Sequence, residues 1–298
     1  MSAYGFTIVS GITNGLTYGA LGIAFGLVFF VTGRFHYAFG LFYSVAGVIA
    51  GWGYAIEGWP LAVAVVVGLA AGTIAGILSE ILVYRQFDRR APNASLLGVF
   101  IASLGMVIAG EALMSMVFDQ AASFNLPLVS PITWRPGNIP VPLIDVVISV
   151  TCVVLLVIVD LVVTRSSLGR QMRAAESNQR LASIFGVNVK RVFVAVFVVA
   201  SFVGAVLGIL QAAASSATPQ MGDSIIIFAI VVAFLGHGRS VLAHAVIGVL
   251  LGVFEGLIGL WFGALLQSLV VFVILFLFIL GVAYLGGVRK LLQRRSVV

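Results

Sequence analysis

The sequence predicts an all-α fold, a polytopic bundle of transmembrane helices, and three observations predict it. Hydrophobic residues make up 61% of the 298 positions and charged residues only 9%, with a mean hydropathy of +1.20. Apolar runs of about 20 residues recur along the chain, and each could cross roughly 30 Å of hydrocarbon as a helix. None alternates with the period of two expected of a membrane β-barrel, so helices are the structure that satisfies the backbone in lipid.

The apolar runs predict eight or nine membrane segments in one domain, residues 1–298. The seventh has only about 15 residues, which is short for a full crossing and predicts a re-entrant or broken element. The predicted segments are 5–31, 41–57, 60–84, 94–118, 142–164, 191–215, 222–236, 240–260 and 262–286.

The distribution of basic residues predicts the orientation. With nine alternating crossings and a cytoplasmic C-terminus, 15 of the 16 Lys and Arg residues fall in cytoplasmic loops, and only Arg135 falls outside. Cytoplasmic loops of membrane proteins are enriched in Lys and Arg. We therefore expect the N-terminus outside and the C-terminus in the cytoplasm. The net charge of +6 then reflects this sidedness and gives no reason to expect a nucleic-acid partner.

Residues 119–141 are predicted to form an extracytoplasmic loop. The stretch 119–142 holds five of the chain's eight prolines and few charges. Proline fixes φ and removes a backbone donor, so this loop should be stiff and non-helical. Either a platform for an external partner or an ordinary connector fits that composition.

Glycines spaced four residues apart predict close contacts between helix backbones, because they leave a flat stripe without side chains. Two short breaks, 33–40 and 236–240, combine Gly, His and Arg between apolar runs. The first is either an irregular segment beside a translocation path or a tight cytoplasmic turn. The glycine stripes are Gly11, Gly15 and Gly19; Gly68, Gly72 and Gly76; Gly204 and Gly208; and Gly248, Gly252 and Gly256.

Acidic side chains are rare in the predicted segments and show no ladder suited to ion coupling. Glu111 and Glu255 lie deepest, whereas Asp145 and Asp223 lie near segment ends, and Glu80 lies near the inner end. The three histidines have no metal-ligand spacing, so we expect no metal site.

The most polar stretch is the cytoplasmic loop 166–190. Ser166 and Ser167 can cap a helix, and Gly186 can end one. Leu168, Met172, Ala175, Ala182 and Phe185 follow helical spacing and predict one weakly amphipathic helix that another protein holds. A helix resting on anionic lipid headgroups is the alternative.

This loop, "SLGRQMRAAESNQRLASIFGVNVKRV", resembles the cytoplasmic loop of permeases in the branched-chain amino acid family of bacterial ABC importers. The opening "NGLTYGALGIAFGLVF" resembles the first span of that family, and "GVLLGVFEGL" resembles the late span that carries a Glu, here Glu255. The resemblance covers most of the chain.

The resemblance implies that the loop is a coupling helix seated on an ATP-binding subunit. The implied coupling residues are Gly169, Arg170, Met172, Arg173, Ala174, Glu176, Arg180 and Gly186. It also implies a second permease chain, identical or homologous, two ABC ATPase subunits and an extracytoplasmic substrate-binding protein. The chain has no GxxxxGK[ST] phosphate loop, so ATP and Mg²⁺ would be used by the ATPase partner, with no cofactor bound here.

The chain departs from the family pattern after His36, where Phe39 and Leu41 stand in place of a His and an acidic residue. The change either favours a more apolar cargo or moves polar contacts to the paired permease. Residues expected along the translocation path are Asn14, Thr17, Tyr18, His36, Tyr37 and Phe39.

The sequence thus predicts a transport subunit, not an enzyme, in a bacterial inner membrane. The expected cargo is a branched-chain or hydrophobic amino acid or a related small metabolite. Urea, short amides, aromatic acids or a sugar moved by the same mechanism remain open, as does a stand-alone channel or secondary carrier. A membrane enzyme is disfavoured because no nucleophile–base constellation is present.

Overall fold

The computed structural model of the chain describes residues 2–90, 96–118, 123–129, 132–135, 139–236, 240–263 and 273. Within these ranges the chain is almost entirely helical, as the apolar periodicity predicts. The helices are α1 (Ser2–Thr32), α2 (Phe39–Ala55), α3 (Leu61–Leu78), a π-helical continuation (Ser79–Tyr84), α4 (Arg85–Arg90), α5 (Leu96–Phe118), α6 (Leu143–Arg165), α7 (Ser167–Ser177), α8 (Gln179–Ile184), α9 (Val189–Ala214), α10 (Met221–Gly236) and α11 (Val241–Phe262).

Six of the described helical stretches are long and apolar enough to span a membrane, and α2 and α10 are shorter apolar helices. These eight elements match the first eight predicted segments to within a few residues, apart from α3, which α4 prolongs to Arg90. The predicted all-α membrane bundle is therefore confirmed. The ninth segment, the C-terminal basic cluster and most of the 236–240 break lie outside the described residues, and the orientation of the termini stays a prediction.

The segment between α5 and α6 contains no helix in its described parts. Two short strands, β1 (Thr133–Trp134) and β2 (Val141–Pro142), pair antiparallel just before α6. Phe124 forms a bridge with Ala217, which joins this segment to the connection between α9 and α10. The backbone of the Pro-rich segment is thus tied to the end of the bundle where α9 ends and α6 begins.

Most of the stripe glycines lie against the backbone of a neighbouring helix, as predicted, whereas Gly204 faces the Phe39 ring. Gly11 and Gly15 of α1 face Gly252 and Gly248 of α11, and a Cβ added to Gly15 would lie 2.5 Å from the Gly248 carbonyl oxygen. The stripe in α3, formed by Gly68, Gly72 and Gly76, packs closely on α2 and α9. These backbones approach too closely for any side chain to fit between them.

Alanine at Gly15 or Gly248 is expected to lower the free energy of unfolding by about 1–3 kcal/mol, because the added methyl overpacks two backbones. The measurement is thermal unfolding of the detergent-solubilised protein. Gly105→Ala is the matched control, since no atom lies within 4 Å of an added Cβ there. A Gly15→Ala variant as stable as Gly105→Ala would contradict the close α1–α11 contact.

The first break is not an exposed turn. After α1, residues 33–38 run as extended and turn backbone, and Arg34, His36 and Ala38 are buried. The buried Ser103 hydroxyl of α5 receives a hydrogen bond from the Tyr37 amide at 3.2 Å and lies 3.4 Å from the Phe35 carbonyl. A serine on a neighbouring helix thus replaces the backbone bonds that a helix would supply. The structure thus supports an irregular segment enclosed by protein over a tight exposed turn, and its position beside a translocation path stays a prediction.

Candidate functional site

The polar loop folds into two helices, not the single helix that the sequence predicts. The Ser166 hydroxyl accepts a hydrogen bond from the Gly169 amide at 2.9 Å and starts α7. Asn178 has extended backbone (φ −166°, ψ 106°), and its side chain accepts from the Leu181 amide at 2.9 Å to start α8. An Asn side chain that competes for backbone donors favours a new N-cap over helix continuation. Gly186, at φ +85°, ends the pair of helices as predicted.

α7 is fixed to the C-terminal end of α6. A Cβ on Gly169 would overlap the carbonyl groups of Val162 and Val163, so α7 lies directly against the end of α6. The Arg173 guanidinium donates a hydrogen bond to the Val163 carbonyl. Met172 and Ala175 are each 1% exposed and face the core. Several residues of the family motif therefore hold α7 in place.

α8 carries the exposed apolar surface of the loop. Leu181, Ile184 and Phe185 are 52%, 71% and 84% exposed, whereas Ala182 between them is buried. The helical spacing predicted one apolar face that joins Phe185 to Met172, Ala175 and Ala182. In the structure those three residues are buried and Phe185 is exposed, because the helix restarts at Asn178. The exposed apolar residues Leu181 and Ile184 were not predicted as part of the site. The sequence feature that could have identified them is the cluster of large apolar residues in an otherwise polar loop. We call these three residues the α8 tip.

Some of the predicted coupling residues are buried, and others are exposed. Gly169 and Met172 are buried and Ala174 is partly buried. Glu176 is exposed and borders a cavity of about 190 Å³ between α1, α6 and α11. The remaining members are exposed and available to a partner: Arg170, Arg173, Arg180 and Gly186.

A buried charge cluster lies beside this loop. Arg34 donates hydrogen bonds to Glu80 and Asp88, and the side chains of Arg34 and Glu80 are only 5% and 1% exposed. The Arg34 guanidinium also lies 4.9 Å from the ring centre of Phe193 in α9. Arg34 was predicted to lie in a cytoplasmic loop and Glu80 only near a span end, so the pair itself was missed.

The π-helical turn explains how Glu80 reaches Arg34. The Arg85 amide bonds to the Glu80 carbonyl five residues back, which widens the helix locally. Glu80 and Tyr84 both point inward, and the Tyr84 hydroxyl is hydrogen-bonded to His36 Nδ1. Single π turns of this kind are frequent at functional positions.

A polar cavity of about 580 Å³ lies at the other end of the bundle. Its walls come from α1, α2, α6, α9, α10 and α11, and three of its residues are acidic: Asp145, Asp223 and Glu255. Tyr18 donates a hydrogen bond to Glu255 at 2.6 Å and stacks on Phe228 at 4.6 Å. The other lining residues are Thr13, Asn14, Thr17, Tyr43, Ile148, Gln211, Ala214, Ser215, Met221, Ser224, Ile225 and Ile227.

Three of the six predicted path residues meet in this cavity, and three do not. Asn14, Thr17 and Tyr18 line it from one face of α1. His36 is fully buried against Phe42, Tyr84 and Phe197, and Phe39 is 2% exposed on the Gly204 side of α9. Tyr37 lies outside the lining but close enough to Asp223 for an electrostatic interaction.

The residues that depart from the family pattern serve packing. Phe39 covers Gly204, and Leu41 fills the space beside Gly110 of α5, where an added Cβ would lie 2.5 Å from a Leu41 methyl. Neither residue lines the cavity. The polar character of the cavity comes instead from α1, α6, α10 and α11.

Three helices join the loop to the cavity. α6 contributes Asp145 and Ile148 from its first turns and ends where α7 begins, and its 23 residues span roughly 34 Å. α9 begins after α8 and contributes Gln211 and Ala214 from its far end. α1 lines the cavity and meets α8 at its C-terminus, where Gln179 donates to the Thr32 carbonyl at 3.2 Å.

No group of three or more His, Cys, Asp or Glu side chains with metal-binding geometry occurs among the described residues. The described site consists of a polar cavity at one end of the bundle and an exposed tip on anchored helices at the other.

Comparison with known proteins identifies one family over nearly the whole length of the chain. The profile of a family described as "Branched-chain amino acid transport system / permease component" matches residues 7–280. The high-affinity branched-chain amino acid transport system permease protein LivH of Escherichia coli (strain K12) is 24% identical over 285 residues, with 91% of each chain covered. LivH of Salmonella typhimurium is 24% identical over 288 residues with the same coverage. No solved structure matches the chain significantly. With its helical membrane bundle and a family match over nearly all of its length, this chain belongs to the branched-chain amino acid transport permease family.

Proposed function

We propose that the chain is the membrane-spanning permease subunit of an ATP-driven importer in a bacterial inner membrane. Its cargo is a branched-chain or hydrophobic amino acid or a related small metabolite, moved by alternating access. Family membership supports a transport role, and the curated relatives are named for branched-chain amino acid transport. A second permease chain and an external binding protein complete the proposed assembly.

The observation that carries the proposal is the α8 tip. It exposes three large apolar side chains on a loop whose other apolar residues are buried or partly buried. A permanently exposed apolar cluster rimmed by charged residues is typical of a protein interface. Arg170, Arg173, Glu176 and Arg180 are exposed on the same loop and are the proposed charged rim. The chain lacks a phosphate loop of its own, so an ATPase subunit is the proposed occupant.

The contacts that hold α7 and α8 define the proposed route by which movement of the loop reaches the cavity. A displacement of α7 must move the end of α6, because Gly169 and Arg173 both contact the Val163 carbonyl. Movement of α8 is passed to α1 through Gln179 and Thr32, and to α9, which follows it directly along the chain. The same three helices line the cavity, α6 and α9 at their opposite ends and α1 near its middle. Closure of an ATPase pair would thus change the shape of the cavity by rigid-body movement.

A secondary carrier is the competing proposal, supported by the carboxyl groups in and beside the cavity. It is less well supported, because it leaves the α8 tip without a role and requires no partner.

The test is uptake by proteoliposomes that contain the permease with the subunits that co-purify from its native membranes and the external binding protein. Radiolabelled leucine, urea and an aromatic acid are offered separately. We expect accumulation of one cargo class only when ATP is sealed inside with the ATPase subunits. Uphill accumulation without ATPase, driven by an ion gradient, would establish the carrier instead.

A further inference from the structure

Tyr43 of α2 lines the polar cavity and carries a buried hydroxyl without a hydrogen-bond partner. The residue is 1% exposed, and its hydroxyl bonds to no atom of the described residues. A Cβ added to Gly208 of α9 would overlap the Tyr43 carbonyl, so the backbone that carries the ring is held tightly. Nearly all buried hydroxyls in proteins have a partner, because an unpaired one is costly. The unpaired hydroxyl therefore needs an explanation.

The missing partner is an acceptor. The Tyr43 hydroxyl lies close enough to the Tyr18 hydroxyl and the Cys152 thiol for electrostatic interactions, so it reaches the wall formed by α1 and α6. The neighbouring hydroxyl protons are already used: Tyr18 donates to Glu255 at 2.6 Å, and Thr17 donates to a carbonyl of its own helix at 3.1 Å. A hydroxyl proton pairs with an atom that offers a lone pair. Within the described part of the chain, Tyr43 meets no such atom.

Other donors line the cavity, but they are less buried than Tyr43. Asn14 is exposed and Gln211 is partly exposed, and the Gln211 amide already donates to the Ser215 hydroxyl at 2.9 Å. A solute that bonds to an exposed amide replaces a bond to water and gains little. A solute that bonds to a buried, unpaired hydroxyl removes the cost of leaving that group unpaired. An acceptor on the solute therefore gains more at Tyr43 than at either amide.

We propose that Tyr43 is a specificity-determining residue, whose hydroxyl donates a hydrogen bond to an acceptor oxygen of the transported solute, either a carboxylate or a neutral carbonyl oxygen. The inference rests on the proposed transport function and names one contact of its cargo. The cavity volume of about 580 Å³ is within the range of small-molecule sites. Contact requires a small movement of the ring, which no hydrogen bond of the hydroxyl opposes. A solute without the oxygen leaves the hydroxyl unpaired and binds more weakly.

The first experiment measures unfolding without a solute. Tyr43→Phe removes only the unpaired hydroxyl, so the purified chain should unfold at the same temperature as the parent or at a higher one. Tyr84→Phe is the matched control, because its hydroxyl is hydrogen-bonded to His36, and it should unfold about 2 °C or more below the parent. A decrease for Tyr43→Phe as large as that for Tyr84→Phe would reveal a structural partner and overturn the proposal.

The second experiment measures binding to the purified full-length chain as protection of a thiol from N-ethylmaleimide. Ser224→Cys places the thiol in the cavity lining, and the chain without this substitution reports any labelling of the buried Cys152. The three probes share an isobutyl group and an ammonium group and differ in the acceptor. Leucine has a carboxylate, leucinamide has a neutral carbonyl, and 3-methylbutylamine has no oxygen.

In Tyr43→Phe, the concentration that gives half protection should rise about 10-fold for leucine if the acceptor is a carboxylate. It should rise about 3–10-fold for leucinamide if the acceptor is a neutral carbonyl. It should stay unchanged for 3-methylbutylamine, and Tyr84→Phe should leave the values of all three probes unchanged.

Equal rises for all three probes, or no rise for either oxygen-bearing probe, would overturn the proposal. Failure of both oxygen-bearing probes to protect the parent chain would overturn it as well. Labelling uses neither ATP nor a partner subunit. A negative labelling result therefore leaves ATP-driven uptake standing, and a failure of uptake leaves a difference in labelling standing.

Discussion

Ile184→Asp or Phe185→Asp should release the ATPase subunits from the purified permease and abolish ATP-driven uptake. Both side chains are more than two-thirds exposed and lie at the end of α8, where a partner would bury them. A carboxylate placed in the apolar centre of an interface costs about 2 kcal/mol or more, which is roughly 30-fold in affinity. Membrane insertion should be unchanged, because the substituted side chains are exposed and not part of the buried core.

The matched controls are Ile184→Leu and Phe185→Leu, which keep the apolar surface and should retain the ATPase. Co-purification is measured by subunit stoichiometry, and uptake is measured in proteoliposomes. Full retention of the ATPase by both aspartate variants would show that the α8 tip is not the docking surface.

Arg34→Met is expected to lower the free energy of unfolding by about 3–5 kcal/mol, because it leaves a buried carboxylate without its partner. Glu80 is 1% exposed, and its other basic neighbour, Arg85, lies 3.7 Å away at Nε. The substitution also removes the contact of the guanidinium with Phe193. The measurement is unfolding of the solubilised protein, by heat in a thermal-shift assay and by denaturant in mixed micelles.

Asp88→Asn is the matched control, since it removes the second carboxylate bound to Arg34 at a side chain that is 55% exposed. Exposed pairs contribute about 1 kcal/mol or less, so this variant should be close to the parent. The double variant Arg34→Met with Glu80→Met should recover most of the lost stability, because it buries no unpaired charge. Equal effects of Arg34→Met and Asp88→Asn would contradict a buried pair.

Much of the fold follows from the sequence, because lipid leaves helices as the structure that satisfies the backbone. Close contacts between helix backbones could also be predicted from the glycine stripes. That Gly15 meets Gly248 could not be predicted, since spacing along one helix does not identify the partner helix. The buried path of residues 33–38 was ambiguous for a related reason: its hydrogen bonds come from Ser103, about 65 residues away in the chain.

The candidate site was predictable where its signal is local. The caps at Ser166 and Gly186 and the face of α1 that carries Asn14, Thr17 and Tyr18 were found from spacing alone. The restart of the helix at Asn178 was missed, because an N-cap inside a run of helix formers is a weak signal. The Arg34–Glu80 pair and the convergence of Asp145, Asp223 and Glu255 depend on tertiary packing between distant segments. The periodicity of apolar residues in the sequence does not predict such contacts.

The central claim is that force from a nucleotide-binding partner enters the bundle through the α8 tip. The most direct measurement places a photoreactive benzoylphenylalanine at position 184 and identifies the cross-linked protein in membranes by mass spectrometry, with and without trapped ATP. We expect a cross-link to an ABC ATPase subunit whose yield changes between the two nucleotide states. Cross-links to lipid alone, or no cross-link to an ATPase while ATP-driven uptake continues, would contradict the account.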